Sequence, residues 1–404
     1  MKAAAIILAL AAAPLATEAA AQQFTQRGFL DFGAPVYPQT APNDSAHVPG
    51  EALFRYEASW RPASEWRLYG SVDARTDTHG QVDRAAHLSW WDRERARPAF
   101  EVRRLSALWH RGAVTIEAGK QFIRWGKADI LNPTDRFAPR DFLSVVDNDF
   151  LAVPAARFTV ERGSETLDAV WQARFTPSRI PLFDQRWAVL PQDIEIIDAG
   201  ARYPGGPQLG VRWNHIGAGY EFSMSFFDGR NHLPLFEPVA PIGPAVAVQR
   251  IYPKLRMYGG DAAIPLRPFT LKSEAAYFQS PAGDYALYVV QIEKDIGEWS
   301  LVGGYAGEWD RRESAATDFA PDRGLARAFL GRATYTIDAT RSLLVEAALR
   351  QTGEGVWLRS EYSQSFGEHW RATAGFTLIR GDRSDFLGQY RRNSHAMLNW
   401  RYSF

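Results

Sequence analysis

The sequence predicts an all-β, membrane-embedded barrel whose antiparallel strands run up and down around a closed wall. Three observations predict this fold. Apolar and polar residues alternate along most of the chain, short and long connections alternate between the segments, and the chain ends on an amphipathic strand that closes with Phe404. Such a barrel is hard to detect by hydropathy because only alternate residues face lipid.

The strands are predicted from their period of two, which places neighbouring residues on opposite faces of a sheet. In the second segment, Phe54 and Tyr56 alternate with Arg55 and Glu57. We count about eighteen strands, with sixteen as the alternative, because bacterial outer-membrane barrels have an even number. The predicted strand cores are residues 24–33, 51–60, 65–75, 98–110, 113–122, 154–162, 165–175, 207–215, 218–228, 254–264, 269–278, 284–294, 297–309, 326–338, 341–352, 355–366, 369–380 and 394–404. In the fourth predicted strand, residues 98–110, the apolar residues move from even to odd positions. This change predicts a β-bulge near Arg103 and Arg104.

The connections predict how the barrel lies in the membrane. Short turns such as residues 111–112 and 163–164 alternate with long loops such as residues 76–97 and 123–153. Outer-membrane barrels have short turns on the periplasmic side and long loops on the extracellular side. Both ends of the barrel are therefore expected on the periplasmic side.

The N-terminus predicts export. Met1-Lys2 precedes an apolar run over residues 3–13, and Ala19-Ala20-Ala21 supplies the small residues of a cleavage site. The run is too short for a membrane-spanning helix, which needs about 20 residues. We expect residues 1–21 to be a cleaved signal peptide and residues 22–404 to be a barrel in the bacterial outer membrane.

Composition narrows the function. The chain has no Cys, which excludes disulfides, thiolate metal sites and covalently attached haem. Lys and Arg together equal Asp and Glu together at 46, so there is no basic surplus for nucleic acid. Aromatic residues make up 13% of the chain, which fits the two aromatic girdles of a barrel. We expect no cofactor, metal or nucleic acid, and we expect outer-membrane lipids as partners.

The last strand carries a candidate assembly signal. Trp400, Tyr402 and Phe404 share one face with Leu398. This pattern looks like the terminal strand of outer-membrane barrels, which ends on an aromatic residue and is recognised by the barrel assembly machinery. The strand should close the barrel by pairing with residues 24–33.

The polar set of the strands should line the interior, because an Arg or Lys on the lipid face would cost roughly 2–4 kcal/mol at mid-membrane. A barrel of this size can hold an aqueous channel. The lumen-lining candidates are Arg55, Glu57, Arg67, Asp73, Glu117, Arg157, Lys272, Glu274, Glu346 and Arg350. Both signs of charge occur, so the sequence predicts no ion preference.

The third long loop, residues 123–153, is the candidate constriction. In general porins the third long loop folds into the barrel and narrows it, so the position alone supports this by analogy between folds. Charges of both signs there would orient a polar solute or pin the loop to the wall. The candidates are Arg124, Trp125, Lys127, Asp129, Asp135, Arg136, Arg140 and Asp141.

Two motifs carry a family resemblance. Residues 119–126 read G-[KR]-Q-x-x-x-W-G, and residues 132–141 read N-P-x-D-x-x-x-P-R-D. Together with the barrel pattern, they resemble a family of bacterial outer-membrane porin-like β-barrel proteins with no agreed substrate. The resemblance implies an outer-membrane barrel that acts as a channel or export conduit, and it implies no catalytic residue.

The expected function is therefore an outer-membrane channel, not an enzyme, for a small polar or amphipathic solute. Two alternatives stay open. One is an outer-membrane enzyme: His87 and Ser89 have the close spacing of a barrel lipase, and His47, His79 and His232 lie near Asp residues as in barrel proteases. The other is a barrel scaffold for an export machine. The solute and the oligomeric state are not predicted.

Overall fold

A computed structural model of the chain describes residues 23–191, 193–242, 245–310 and 319–404. The predicted signal peptide, residues 1–21, lies outside these ranges. Within them, eighteen long antiparallel strands form one closed sheet. The strands are β1 (Phe24–Val36), β2 (Glu51–Ala63), β3 (Trp66–Asp77), β4 (Arg97–Arg111), β5 (Val114–Gln121), β6 (Val153–Arg162), β7 (Glu165–Gln172), β8 (Gln208–Gly217), β9 (Tyr220–Arg230), β10 (Lys254–Leu266), β11 (Phe269–Gln279), β12 (Tyr285–Ile296), β13 (Trp299–Asp310), β14 (Ala328–Thr336), β15 (Arg341–Arg350), β16 (Gly355–Phe366), β17 (Trp370–Gly381) and β18 (His395–Ser403).

The number and order of strands confirm the sequence prediction of an eighteen-stranded barrel, and the alternative of sixteen is wrong. Each predicted core overlaps one observed strand. The predicted bulge in β4 is also present. Ser71 pairs with Arg104 and Val72 pairs with Val102, so Arg103 is the extra residue. The bulge restores the alternation of faces along a strand whose parity changes.

The barrel closes between its first and last strands. Phe29 lies opposite Ser403 and Val36 lies opposite Ala396. Gly28 and Phe404 add two reciprocal backbone hydrogen bonds of 2.9 and 3.0 Å. A Cβ atom on residue 28 would lie 2.5 Å from the Phe404 ring, so glycine is needed for this close approach. Trp400, Tyr402 and Phe404 lie on the outward face of this closing seam, and their recognition by the assembly machinery stays a prediction.

The two faces of the wall differ as alternation requires. On β7, the Trp171 side chain points outward and is 49% exposed, whereas the Asp168 side chain points inward and is 4% exposed. Large apolar residues remain exposed on the outer face, for example Leu209 on β8 and Met224 on β9. In a membrane, lipid covers this face and no further protein is required.

The connections alternate as predicted. Eight turns of two to four residues follow the even-numbered strands up to β16. The connections after the odd-numbered strands have five residues or more, except for residues 351–354 after β15. Gly112 and Gly163 have φ values of 58° and 62° and allow tight two-residue turns. The short turns and the ends of the described barrel lie on the same side, which we assign to the periplasm.

The long connections contain more regular structure than the sequence predicts. Residues 76–97 are predicted as a loop, but Val82–Ser89 forms a strand that pairs in parallel with the start of β4. Glu195–Arg202, Leu235–Ile242 and Ala245–Ile251 form a separate three-stranded sheet. Where the chain is described, none of its helices has the length and apolar character needed to cross a bilayer.

The third long connection, residues 122–152, is called loop L3 below. It joins β5 to β6 and folds back against the inside of the wall. Ile123, Trp125 and Phe137 of L3 pack with Phe227 of β9 and Met257 of β10 in the largest buried apolar cluster of the described residues. The hydrophobic core of this barrel therefore lies between L3 and the inner wall.

Candidate functional site

The first contact of L3 with the wall is made by Trp125. Its side chain is buried, and the indole N–H donates to a carboxylate oxygen of Asp168 on β7 over 2.9 Å. The ring meets Phe137 edge to face, with ring centres 5.2 Å apart. Gly210 on β8 makes room for both rings, because a Cβ atom there would lie 2.5 Å from Phe137 and 2.6 Å from Trp125. The aromatic rings of L3 therefore fill the space that the missing side chain of Gly210 leaves on the inner face of the wall.

The second contact is made by Glu274 of β11, which receives L3 through its carboxylate. One oxygen accepts the backbone N–H groups of Lys127 and Ala128 at 2.9 and 3.0 Å. The other accepts the backbone N–H and the hydroxyl of Thr134, both at 2.8 Å. Glu274 lies near the middle of its strand, so this contact holds L3 at about half the height of the barrel.

Inside L3, Asp135 closes a turn. Its carboxylate accepts the backbone N–H groups of Trp125 and Gly126 at 2.6 and 2.7 Å, and Arg124 donates to it at 3.3 Å. Asn132 lies against Gly126, where a Cβ atom would come within 2.6 Å of it. The segment between Arg124 and Asp135 is therefore a compact unit that docks as a whole.

The charged side chains of this unit also contact the wall. The Lys127 ammonium group pairs with Glu221 of β9 and with Asp261 of β10, the second at 3.4 Å. The Asp129 carboxylate pairs with Lys272 of β11 at 3.1 Å. These three wall residues lie on the consecutive strands β9, β10 and β11, so L3 runs across the strands and not along one of them.

Arg136 and Arg140 lie deeper in the loop and stack on aromatic rings. The Arg136 guanidinium lies 5.0 Å from the ring centre of Phe278 on β11. Arg124 and Arg140 both lie 4.2 Å from the ring centre of Phe150, and Arg140 donates to Asn148 over 2.9 Å. Seven of the eight candidates of the third long loop thus contact the wall or other residues of L3, and the eighth is Asp141.

Asp141 joins L3 to a buried ionic network. It pairs with Arg97 of β4 at 2.9 Å and with Arg179 at 3.2 Å. Arg179 reaches Asp92 at 2.9 Å, and Asp92 reaches Lys120 of β5 at 2.6 Å. The network connects three long connections to the wall, and every member is buried or nearly so. Removing one partner from such a pair costs about 3–5 kcal/mol.

The pKa of Asp141 leads to a prediction about acid. Burial would raise the pKa of its carboxyl, but Arg97 and Arg179 hold it well below its usual range. A carboxyl whose pKa is lowered in the folded protein stabilises the fold fully at any pH above its pKa in the unfolded chain, which is about 4. This stabilisation is lost as the pH falls below that value. We therefore expect proteolytic protection of L3 to fall in acid stronger than about pH 4. Protection that persists unchanged well below pH 4 in the same assay would contradict this role for Asp141.

The predicted lumen-lining residues all point inward, and most are paired. Arg55 pairs with Asp73 at 2.7 Å on neighbouring strands, which is typical of the set. The others contact the following partners: Glu57 with Arg27, Arg67 with Tyr69, Glu117 with Arg104, Arg157 with Asp168, Lys272 with Glu293, Glu346 with Arg332, and Arg350 with Asp385. Glu274 is engaged by L3 as described above. Their role in permeation stays a prediction.

Asp147 and Asp149 of L3 were not among the predicted site residues, yet they remain exposed beside arginines of the wall. Their side chains are 63% and 66% exposed. Asp149 lies 3.9 Å from Arg55 and 4.0 Å from Arg103, and Asp147 lies 3.7 Å from Arg359. Acidic residues on the loop therefore face arginines on the opposite wall. The acidic triplet 147–149 was the available sequence signal, but its orientation depends on how L3 folds.

A cavity of about 270 Å³ lies beside Asp147. Asp31, Arg401 and Met397 line it from the seam between β1 and β18, and Asp147 lines it from L3. It is slightly smaller than the pockets that hold drug-sized ligands. Among the described residues, no group of three or more His, Asp or Glu side chains is arranged to hold a metal ion.

In the described part of the chain, Ser89 and His87 of the lipase alternative both contact Glu94 and do not form a hydrogen bond with each other. The Ser89 hydroxyl donates to Glu94 over 2.8 Å, and His87 lies 3.7 Å from the same carboxylate. Glu94 therefore stands where a histidine base would be needed to activate the serine. His79 pairs with Asp44 at 2.9 Å, and this contact joins the connection after β3 to the connection after β1.

No protein-family model and no curated protein matches the sequence. Solved structures do match the fold over almost the whole chain. A BenF-like porin from Pseudomonas fluorescens Pf-5 aligns with a TM-score of 0.56 at 10% identity, covering 95% of this chain and 97% of that one. OccAB3 of Acinetobacter baumannii aligns with a TM-score of 0.55 at 10% identity, covering 95% and 99%. OpdQ of Pseudomonas aeruginosa aligns with a TM-score of 0.52 at 9% identity, covering 95% and 98%. This chain has the closed eighteen-stranded fold of bacterial outer-membrane porins.

Proposed function

We propose that the protein is an outer-membrane channel for small polar or amphipathic solutes and that L3 forms its constriction. The observation that supports this most strongly is the way L3 is bound to the inner wall. Buried Glu274 and Asp168 hold it against one side of the inner wall at about mid-height. The exposed Asp147 and Asp149 then border the space that is left on the other side.

The charges around this space suggest how a solute is handled. Carboxylates lie on the loop and guanidinium groups lie on the wall, so a polar solute would experience a field across the channel. Such a field aligns dipolar molecules.

Removing the two loop carboxylates should change ion selectivity. In the double variant Asp147→Asn/Asp149→Asn, the arginines of the wall lose their opposing charges. At about 1 kcal/mol for a charge pair 4 Å apart in water, we expect the anion-to-cation permeability ratio to rise roughly fivefold. The reversal potential in a KCl gradient measures it.

The variant Asp228→Asn is the matched control, because Asp228 pairs with Arg256 on the outer face of the barrel. It should leave the reversal potential unchanged. An equal shift in both variants, or no shift in the double variant, would count against a permeation path beside Asp147 and Asp149.

A further inference from the structure

A groove on the outer surface lies at the extracellular end of the seam, where β17, β18 and β1 meet the short 3₁₀ helix Gly388–Asn393. Its volume is about 890 Å³. Val36, Phe376 and Leu378 form an apolar wall, and the Phe376 side chain is 47% exposed. The groove therefore opens toward the lipid and not toward the lumen.

Three arginines line the upper part of the same groove: Arg380, Arg391 and Arg392. In the described ranges, no carboxylate lies within ion-pair distance of any of the three guanidinium groups. Arg391 donates one hydrogen bond, to the carbonyl oxygen of Gly388 over 3.1 Å. The acidic group nearby is Asp382, and the pKa of its carboxyl is lowered mainly by hydrogen bonds from Ser384, with a smaller contribution from Arg391.

Another arginine at the same edge of the barrel has a carboxylate partner, unlike the three arginines of the groove. Arg256 on β10 is also exposed on the outer face, but it pairs with Asp228 at 2.8 Å. The three groove arginines thus leave an excess of positive charge on the surface. Guanidinium groups are planar donors that bind phosphate in a bidentate manner.

The height of the arginines in the membrane follows from β17. Trp370 at the periplasmic end and Arg380 at the extracellular end lie on the same face, ten residues apart. At about 3.3 Å per residue and a tilt of about 40°, they are separated by roughly 25 Å across the membrane. The apolar band of such barrels is about 25 Å tall, so Arg380 lies at the level of the outer headgroups.

We propose that this groove binds a phosphate-bearing membrane lipid of the outer leaflet. The acyl chain lies against Phe376 and Leu378, and the phosphate lies among Arg380, Arg391 and Arg392. A lipid would make both the apolar contacts and the ionic contacts of the groove, whereas a free phosphate ion would make only the ionic contacts. The site is outside the barrel and is separate from the channel.

The test is lipid binding by the purified full barrel, measured by native mass spectrometry with phosphatidic acid and with phosphatidylcholine. The wild type should bind phosphatidic acid preferentially, as a single retained lipid. The double variant Arg380→Gln/Arg392→Gln should weaken that binding about thirtyfold, because each basic residue near a membrane surface contributes on the order of 1 kcal/mol. Both side chains are exposed, so the substitutions should not impair folding.

The variant Arg256→Gln is the control and should bind phosphatidic acid like the wild type. Excess inorganic phosphate should not displace the lipid. Equal binding of both lipids by the wild type, unchanged binding by the double variant, or an equal loss in the control would overturn the proposal. Complete displacement by inorganic phosphate would also overturn it, because it would indicate an anion site without a lipid.

Discussion

Replacing Glu274 with alanine should release L3 from the wall and raise the conductance of the channel. Three buried backbone N–H groups, those of Lys127, Ala128 and Thr134, would lose their acceptor. At about 1–3 kcal/mol for each unsatisfied buried donor, the docked state of L3 would lose roughly 3 kcal/mol or more. We expect larger and noisier single-channel currents in planar bilayers.

Glu346→Ala is the matched control for this experiment. Glu346 is also an inward-facing glutamate on a strand, but its partner is Arg332 on the neighbouring strand and not L3. Its removal should leave the noise of the current near that of the wild type. Quiet, wild-type currents in Glu274→Ala would show that L3 is held by other contacts.

Replacing Trp125 with alanine should have an effect of similar size through packing. The substitution removes a buried ring from the cluster with Phe137 and Phe227, and it leaves Asp168 without its hydrogen bond from the indole. Substitutions of a buried Trp by alanine cost about 3–5 kcal/mol. We expect L3 to become sensitive to protease while the barrel itself remains folded, as judged by heat-dependent gel mobility.

Trp171→Ala is the control, because Trp171 lies on the same strand as Asp168 but faces lipid. It should leave L3 protected. Loss of the folded barrel in Trp125→Ala would mean that L3 is part of the folding core and not a docked insert. Full protection of L3 would mean that the ring contributes little to docking.

The barrel was predictable from sequence because its signals are local. Alternation, turn length and the parity change in β4 are each read within a few residues, and they identified the strands, the bulge at Arg103 and the closing seam. The seam needed one further step, since the first and last strands of a closed sheet must pair. No distant contact had to be known.

The docking of L3 was predictable only in part. Position and charge identified the loop and its candidate constriction residues. They did not identify which residue of the wall contacts which residue of L3. Glu274 is 147 residues from Lys127 along the chain, and it holds L3 through backbone N–H groups that carry no sequence signal. It was predicted as a lumen residue, without a link to the loop.

The ionic network of Asp92, Lys120 and Arg179 was missed for a related reason. Asp92 and Arg179 lie in different long connections, 87 residues apart, and they meet only because both connections fold over the barrel. Lys120 and Gln121 gave a weak signal, as adjacent polar residues at the end of β5 where alternation requires one apolar residue. Charged residues in long loops are usually solvated, so the sequence did not favour burial.

The central claim, that L3 narrows an open channel, can be tested by removing L3. Gln121 and Val153 are directly paired across β5 and β6, so a short Asn-Gly turn can replace residues 122–152 without opening the wall. We expect the wild type to form small, discrete channels in planar bilayers and the shortened protein to form channels of clearly larger conductance. A wild type that opens no conductance, or a shortened protein with wild-type conductance, would contradict the claim.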